Sequence, residues 1–291
     1  MRVWVHSALC GMYLCHALWS NGMNVLMWMI ICLACGCVGM LSVGLSGYVS
    51  AMDDDNSCDK CETKDMCIAR RTIFKDQIYA NALMLFTYCK VRSYCMHITK
   101  PSKYLYYIYF LFNTVLVSVL FWSGELNITR IVFSVSASML LALGVVDWNT
   151  QYIPVEYTGV IFICGLIRLF ADVSNWWQYV IGLFAVSGFL YIVDIIATPI
   201  MRKRYGDDIT HVMGDGDIKL MAATGLLLGW KLNFLALGLG CIIGSIIHVI
   251  LMQIKKGEGQ FAFGPYLSLG VYLTMICGEQ LVSWYLNMMR L

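Results

Sequence analysis

The sequence predicts an all-α fold, a polytopic transmembrane helical bundle of about eight spans with a cysteine-containing loop facing the cytoplasm. Three observations predict it. Hydrophobic residues make up 59% of the 291, charged residues only 13%, and the mean hydropathy is +0.70, far outside the soluble range. Apolar runs near the roughly 20 residues that a spanning helix needs recur along the chain. The basic residues are unevenly placed, and their placement says more than the net charge of +2.

The candidate spans are 24–49, 105–123, 128–146, 157–171, 177–198, 217–230, 233–252 and 264–288, with 157–171 and 217–230 the shortest. A further apolar run, 3–19, carries His6 and His16. It reads equally as a short span, an interfacial helix or an upstream extension before a start at Met23. It does not read as a cleavable signal, because only Arg2 supplies its charged start. The expected units are an N-terminal membrane segment (1–50), a polar loop (51–104) and a C-terminal bundle (105–291).

Orientation follows from the basic residues. Nine Lys or Arg fall in 50–104, Arg202-Lys203-Arg204 in a second connection, and Lys255 and Lys256 in a third. These connections share one face, against Arg130, Lys231 and Arg290 on the other, so the first face is expected in the cytoplasm. The connection 147–156 belongs to the same side. Trp176, Trp177, Trp230 and Trp284 stand at expected boundaries, where indole rings anchor helices.

Two acids stand at that cytoplasmic rim. Asp147 closes "SASMLLALGVVD", and Asp217 opens "DIKLMAATGLLLGW". Taken alone, either is an ordinary helix-end acid, since the cost of a carboxylate falls near the interface. Gly214 and Gly216 change the reading for Asp217, because they let the backbone turn tightly or another chain approach closely. Lys219 stands two positions further on. Two carboxylates facing across a water would make an aspartic-protease pair, one ionised and one protonated, needing no metal for proteolysis.

These residues resemble the prepilin peptidases, or type IV leader peptidases, of the GxGD class of intramembrane aspartic proteases. "GVVDWNTQYIP" (144–154) is similar to the segment that carries the family's first catalytic aspartate. "GDGDIKLMAATGLLLGW" (214–230) is similar to its glycine-aspartate helix, and "FAFGPYLSLG" (261–270), with Gly264 and Pro265, to its late Phe-Gly-Pro segment. The resemblance covers about 105–291. It implies catalysis by Asp147 and Asp217, supported by Gly214, Gly216, Lys219, Gly264 and Pro265. It also implies removal, at the cytoplasmic face of the bacterial inner membrane, of the short basic leader of type IV prepilins or pseudopilins. The implied partners are those substrates and membrane lipid, with no nucleic acid.

The chain departs from the family at several places. The acid expected directly after Pro154 is displaced to Glu156, which also reads as a helix-start acid. Asp215 reads as a neighbour of Asp217 and not a participant. Many relatives methylate the new N-terminus with S-adenosylmethionine, but 36–50 lacks the expected asparagine, and the sequence leaves methylation open. Cys58, Cys61, Cys89 and Cys95 form a candidate structural zinc set of four thiolates, although family members space the second pair differently. The alternative is a loop of free thiols.

Asp194 and Arg168 lie in neighbouring spans, expected either to pair or to reach separate interfaces. His248 reads as a satisfied helix residue. Gly225, Gly238, Gly240 and Gly244 are expected to permit close helix contact. The alternative from another class is a transporter or channel that uses its membrane-edge carboxylates, although such sites usually lie near the midplane.

Overall fold

In the computed structural model, the structure describes residues 29–36, 103–121, 127–206, 211–254 and 262–289. Every regular element among them is helical. After a helical stretch at 29–36, the elements are α1 (Lys103–Phe121), α2 (Ile128–Thr150), α3 (Val155–Ala171), α4 (Trp176–Tyr205), α5 (Asp215–Leu228), α6 (Trp230–Ile254) and α7 (Gly264–Met289). The 3–19 run and the cysteine loop lie outside the described residues, as do Cys58, Cys61, Cys89 and Cys95 and most of 24–49.

Helix α5 organises the bundle. It packs on α3, α4, α6 and α7 and buries nine of its 14 residues, among them Leu220, Met221 and Leu227. Its neighbours carry the apolar exterior. Phe184, Phe189, Ile192 and Ile196 of α4 point outward, as do Ile242, Ile246 and Ile250 of α6. An outward apolar face of this extent suits hydrocarbon and not water. Among the described residues, Ile128–Trp148, Val173–Arg204 and Trp230–Gln253 are long and apolar enough to cross a bilayer. The molecule is a polytopic helical membrane protein.

Close approach at α4 and α5 depends on two glycines. A Cβ placed on Gly182 would strike the Gly225 carbonyl, and one on Gly225 would strike that of Gly182, so the backbones touch where any side chain would separate them. The expectation for the other glycines holds in part. Gly240 meets Leu267 of α7, whereas a Cβ on Gly238 would meet nothing within 4 Å, because its side of α6 is exposed.

The turn between α5 and α6 explains the "LGW" ending. Gly229 adopts φ 83°, a left-handed value that L side chains rarely tolerate, and its amide closes α5 on the Gly225 carbonyl at 2.9 Å. The chain re-enters a helix at once, and Asn233 then reaches back. Its Nδ2 donates to the Met221 carbonyl at 2.8 Å, and its Oδ1 lies 3.0 Å from Thr224 Oγ1. Both side chains are fully buried. This polar brace ties the two helices in an apolar setting.

Several helices overrun the sequence expectation, although α5 stops at Leu228, two residues short of 230. Helix α2 continues past 146 through Thr150, and α4 past 198 through Arg202-Lys203-Arg204 to Tyr205. The apolar run ends where the environment turns polar, but the hydrogen-bonded ladder adds residues cheaply once nucleated. Asp194 and Arg168 reach separate interfaces. Arg168 lies over the rings of Phe133 (4.7 Å) and Tyr179 (5.6 Å), and Asp194 turns toward 211–213. Replacing Asn233 with Ala is expected to lower stability by about 1–3 kcal/mol through loss of its buried hydrogen bonds, read as a lowered melting temperature of the purified protein in detergent.

Candidate functional site

Asp147 lies three residues before the end of α2. The helix closes on it: Gln151 takes a left-handed φ of 55°, and its amide donates to the Asp147 carbonyl at 2.8 Å. The chain then crosses in four residues, 151–154, to Pro154, which caps α3 with an extended backbone. Proline suits this place because its φ is preset and it has no amide to leave unpaired. Glu156 falls in the first turn of α3, where an acid favours the helix dipole.

Asp217 belongs to the first turn of α5. Gly214 is its N-cap, and its carbonyl accepts from the Asp217 amide at 3.1 Å. The helix phase decides which acid faces inward. Asp217 is buried, while Asp215 and Lys219 are exposed. Residues two apart on a helix point about 200° apart, so one inward acid places both neighbours outside.

Three connections converge here. Ile153, buried between α2 and α3, fills the space beside two glycines of different segments. A Cβ on Gly216 would come within 2.7 Å of Ile153 Cβ, and one on Gly264 within 3.1 Å of Ile153 Cδ1. Gly264 also abuts the first acid. Its added Cβ would lie 2.6 Å from Asp147 Oδ2, so the start of α7 abuts the Asp147 carboxylate directly. Gly214 stands in the same relation to the second acid, with Asp217 Oδ2 3.1 Å from the place of a Cβ. Each glycine keeps room for a carboxylate or for Ile153.

The two acids share surroundings, because Ile153 abuts both Gly216, next to Asp217, and Gly264, which abuts Asp147. Their side chains are 4% and 8% exposed, and Asp147 Oδ2 and Asp217 Oδ1 are buried without a hydrogen-bond partner among the described residues. Buried carboxylate oxygens without donors are costly. An arrangement that keeps two of them from different helices is suited to a ligand or water between them.

A cavity of about 620 Å³ lies between α1, α2 and α7, lined by Leu140, Gly144, Trp148, Pro265, Ser268 and Tyr272 among others, next in the chain to the site but without either acid in its wall. Pro265 follows Gly264 directly, and Trp148 follows Asp147. Trp148 meets Tyr266 edge to face at 6.3 Å. Ser268 Oγ is buried and has no partner among the described residues.

Fold and site together define a helical membrane protein with a buried aspartate pair at one rim. Residues 134–249 match the model of the type IV leader peptidase family, which covers both acids and bears out the resemblance for that segment. The chain is 27% identical to the "Prepilin leader peptidase/N-methyltransferase" of Stutzerimonas stutzeri over 159 residues, 52% of this chain and 51% of that one. It is 29% identical to the protein of that name in Pseudomonas aeruginosa over 156 residues, 51% and 50%, and 26% identical to the one in Neisseria gonorrhoeae over 208 residues, 70% and 69%. In the first two of these alignments the chain spans about half the length of the curated relative it matches. No solved structure matches it. The transporter or channel alternative finds no support among these relatives.

Sequence reasoning expected Lys219 at the site together with Asp147, Asp217, Gly214, Gly216, Gly264 and Pro265, whereas Lys219 is exposed, turned away from the buried side of α5 that carries Asp217. The same reasoning missed Ile153, whose only signal was an apolar residue in a short polar connection. Ile153→Ala is expected to destabilise the protein by about 2–4 kcal/mol, the range for a truncated buried isoleucine, measured by thermal unfolding in detergent.

Proposed function

We propose that this chain is a membrane aspartic endopeptidase that removes the short basic leader of type IV prepilins or pseudopilins at the cytoplasmic face of the inner membrane. The observation that carries the reading is the pair of buried acids. Asp147 at the end of α2 and Asp217 at the start of α5 each hold a carboxylate oxygen with no hydrogen-bond partner among the described residues.

Chemistry follows from that pair. One carboxylate, ionised, takes a proton from a water, whose oxygen attacks the scissile carbonyl carbon. The other, protonated, donates to the carbonyl oxygen and stabilises the tetrahedral intermediate. Collapse breaks the C–N bond, and a proton passes to the departing amine. Two carboxylates this close do not both ionise readily, so the pair holds one proton between them. The ordered glycines set the geometry that this sharing needs.

Location supports the same reading. The end of α2 and the starts of α5 and α7 meet around Ile153, and α4, whose Asp194 holds residues 211–213 ahead of α5, carries the exposed Arg202, Lys203 and Arg204. A prepilin whose apolar helix enters the membrane keeps its basic leader in the cytoplasm, which brings the scissile bond to this rim. The apolar cavity lined by Trp148 and Pro265 is suited to side chains that follow the bond.

The relatives' names add N-methyltransferase activity, for which S-adenosylmethionine would be the methyl donor. Residues 37–50, most of the glycine-rich stretch read for that activity, lie outside the described residues. The same holds for Cys58, Cys61, Cys89 and Cys95, the candidate zinc set.

Asp147→Asn and Asp217→Asn are each expected to lower leader removal by roughly 10²–10⁴-fold or more, the contribution of a positioned acid or base, without loss of the folded protein. The assay incubates the detergent-solubilised chain with a prepilin and reads the product's N-terminus by mass spectrometry. Normal processing by either variant would remove that acid from the mechanism. Gly264→Ala is expected to cost roughly 10²-fold in the same assay by displacing the Asp147 carboxylate.

A further inference from the structure

Outside the pair, one buried acid is enclosed by donors, three of which come from a different segment. Asp194 lies in α4 and is 4% exposed. Its Oδ1 accepts from the amides of Val212 and Met213, both at 2.9 Å, and from Thr198 Oγ1 at 3.0 Å. Its Oδ2 lies 2.8 Å from His211 Nδ1. The Val212 amide also lies 3.2 Å from Thr198 Oγ1. Four donors on one carboxylate offset the cost of burying it in an apolar helix.

The segment so held is the approach to Asp217. Met213 is followed by Gly214, the N-cap of α5, and the Gly214 carbonyl accepts from the Asp217 amide. Only one helical turn separates the anchored amides from the acid. The side chain of Met213 packs on the central apolar cluster, so the backbone is pinned by Asp194 on one side and by packing on the other. The far end of the same helix is fixed to α4 where Gly225 meets Gly182. Helix α4 thus holds α5 at both ends.

We infer that Asp194 is a positioning residue: by accepting the Val212 and Met213 amides it sets where α5 begins, and therefore where Asp217 stands relative to Asp147. This rests on the assignment of Asp217 as half of the catalytic pair. Asp194 does not itself touch the reacting atoms, because all of its partners belong to the anchor. The substrate-independent content is an acceptor requirement and not a charge requirement. An asparagine oriented with its oxygen toward the amides still accepts from Val212, Met213 and Thr198, while its Nδ2 faces His211 Nδ1, which accepts when it carries no proton; an alanine accepts from none.

The experiment compares Asp194→Asn and Asp194→Ala with the unaltered full-length chain, in detergent, by steady-state cleavage of a prepilin and by amide hydrogen exchange. The alanine variant is expected to lose about 100-fold in kcat, the cost of a misplacement of about 1 Å, with KM within about twofold because substrate binding is not addressed. Exchange should accelerate in 211–217 and stay unchanged in α6 and α7. The asparagine variant should keep kcat within about threefold and retain protection at 212 and 213.

Three results would overturn the inference: an alanine variant as active as the parent, an asparagine variant as inactive as alanine with its amides still protected, or accelerated exchange throughout the bundle. The second would assign Asp194 a direct part in the chemistry, and the third a general role in stability. Should the unaltered chain cleave no prepilin, the peptidase reading fails, and exchange alone then decides the anchor: protection lost in alanine and kept in asparagine supports it, and protection kept in both overturns it.

Discussion

The structure depends on a requirement of level: helix α5 must begin where α2 ends. Asp147 and Asp217 are 70 positions apart in the chain, and their side chains meet only if two helices of opposite direction are set at one height. Two contacts set it. Ile153 wedges the link after α2 against Gly216 and Gly264, and the glycine crossing of α4 with α5 fixes the latter along its axis. Because these contacts are backbone against side chain or backbone against backbone, they leave little slack.

Glycine has separate uses within this site. At Gly264 and Gly214 the missing Cβ makes space for carboxylates, at Gly216 it makes space for Ile153, and at Gly182 and Gly225 it lets helices touch. Only Gly229 among the glycines of α5 and its caps is there for its dihedral, at φ 83°. The motif GxGD therefore reads less as a flexible turn than as two vacancies on a helix start. One is filled by an acid of the same turn, and the other by a neighbour from the preceding connection.

Much of this was legible before any coordinates. The acids were marked by their setting, since a carboxylate at the end of an apolar run requires explanation, and the glycines around Asp217 supplied one. Helix number and order in 103–289 followed from apolar length. What escaped was of a different kind. Asp194 was visible as a buried acid, but its partners are the backbone amides of Val212 and Met213, which no residue type announces. Gly238 and Gly240 look alike in sequence, and only their phase on α6 separates an outward glycine from one that meets Leu267. Helices α2 and α4 overran their apolar runs because hydropathy reports the solvent around a helix, whereas hydrogen bonds decide its end.

The modest lengths of α5 and α3 differ in their consequence for the lipid. Fourteen residues rise about 21 Å, well short of the ~30 Å hydrocarbon thickness. Neighbouring α3, at 17 residues, rises only about 25 Å. Because α5 is enclosed by α3, α4, α6 and α7, lipid does not meet its short length, and only the shortfall at α3 asks a bilayer to adjust. Asp147 and Asp217, 4% and 8% exposed, accordingly stand within walls of protein and not against lipid or bulk water.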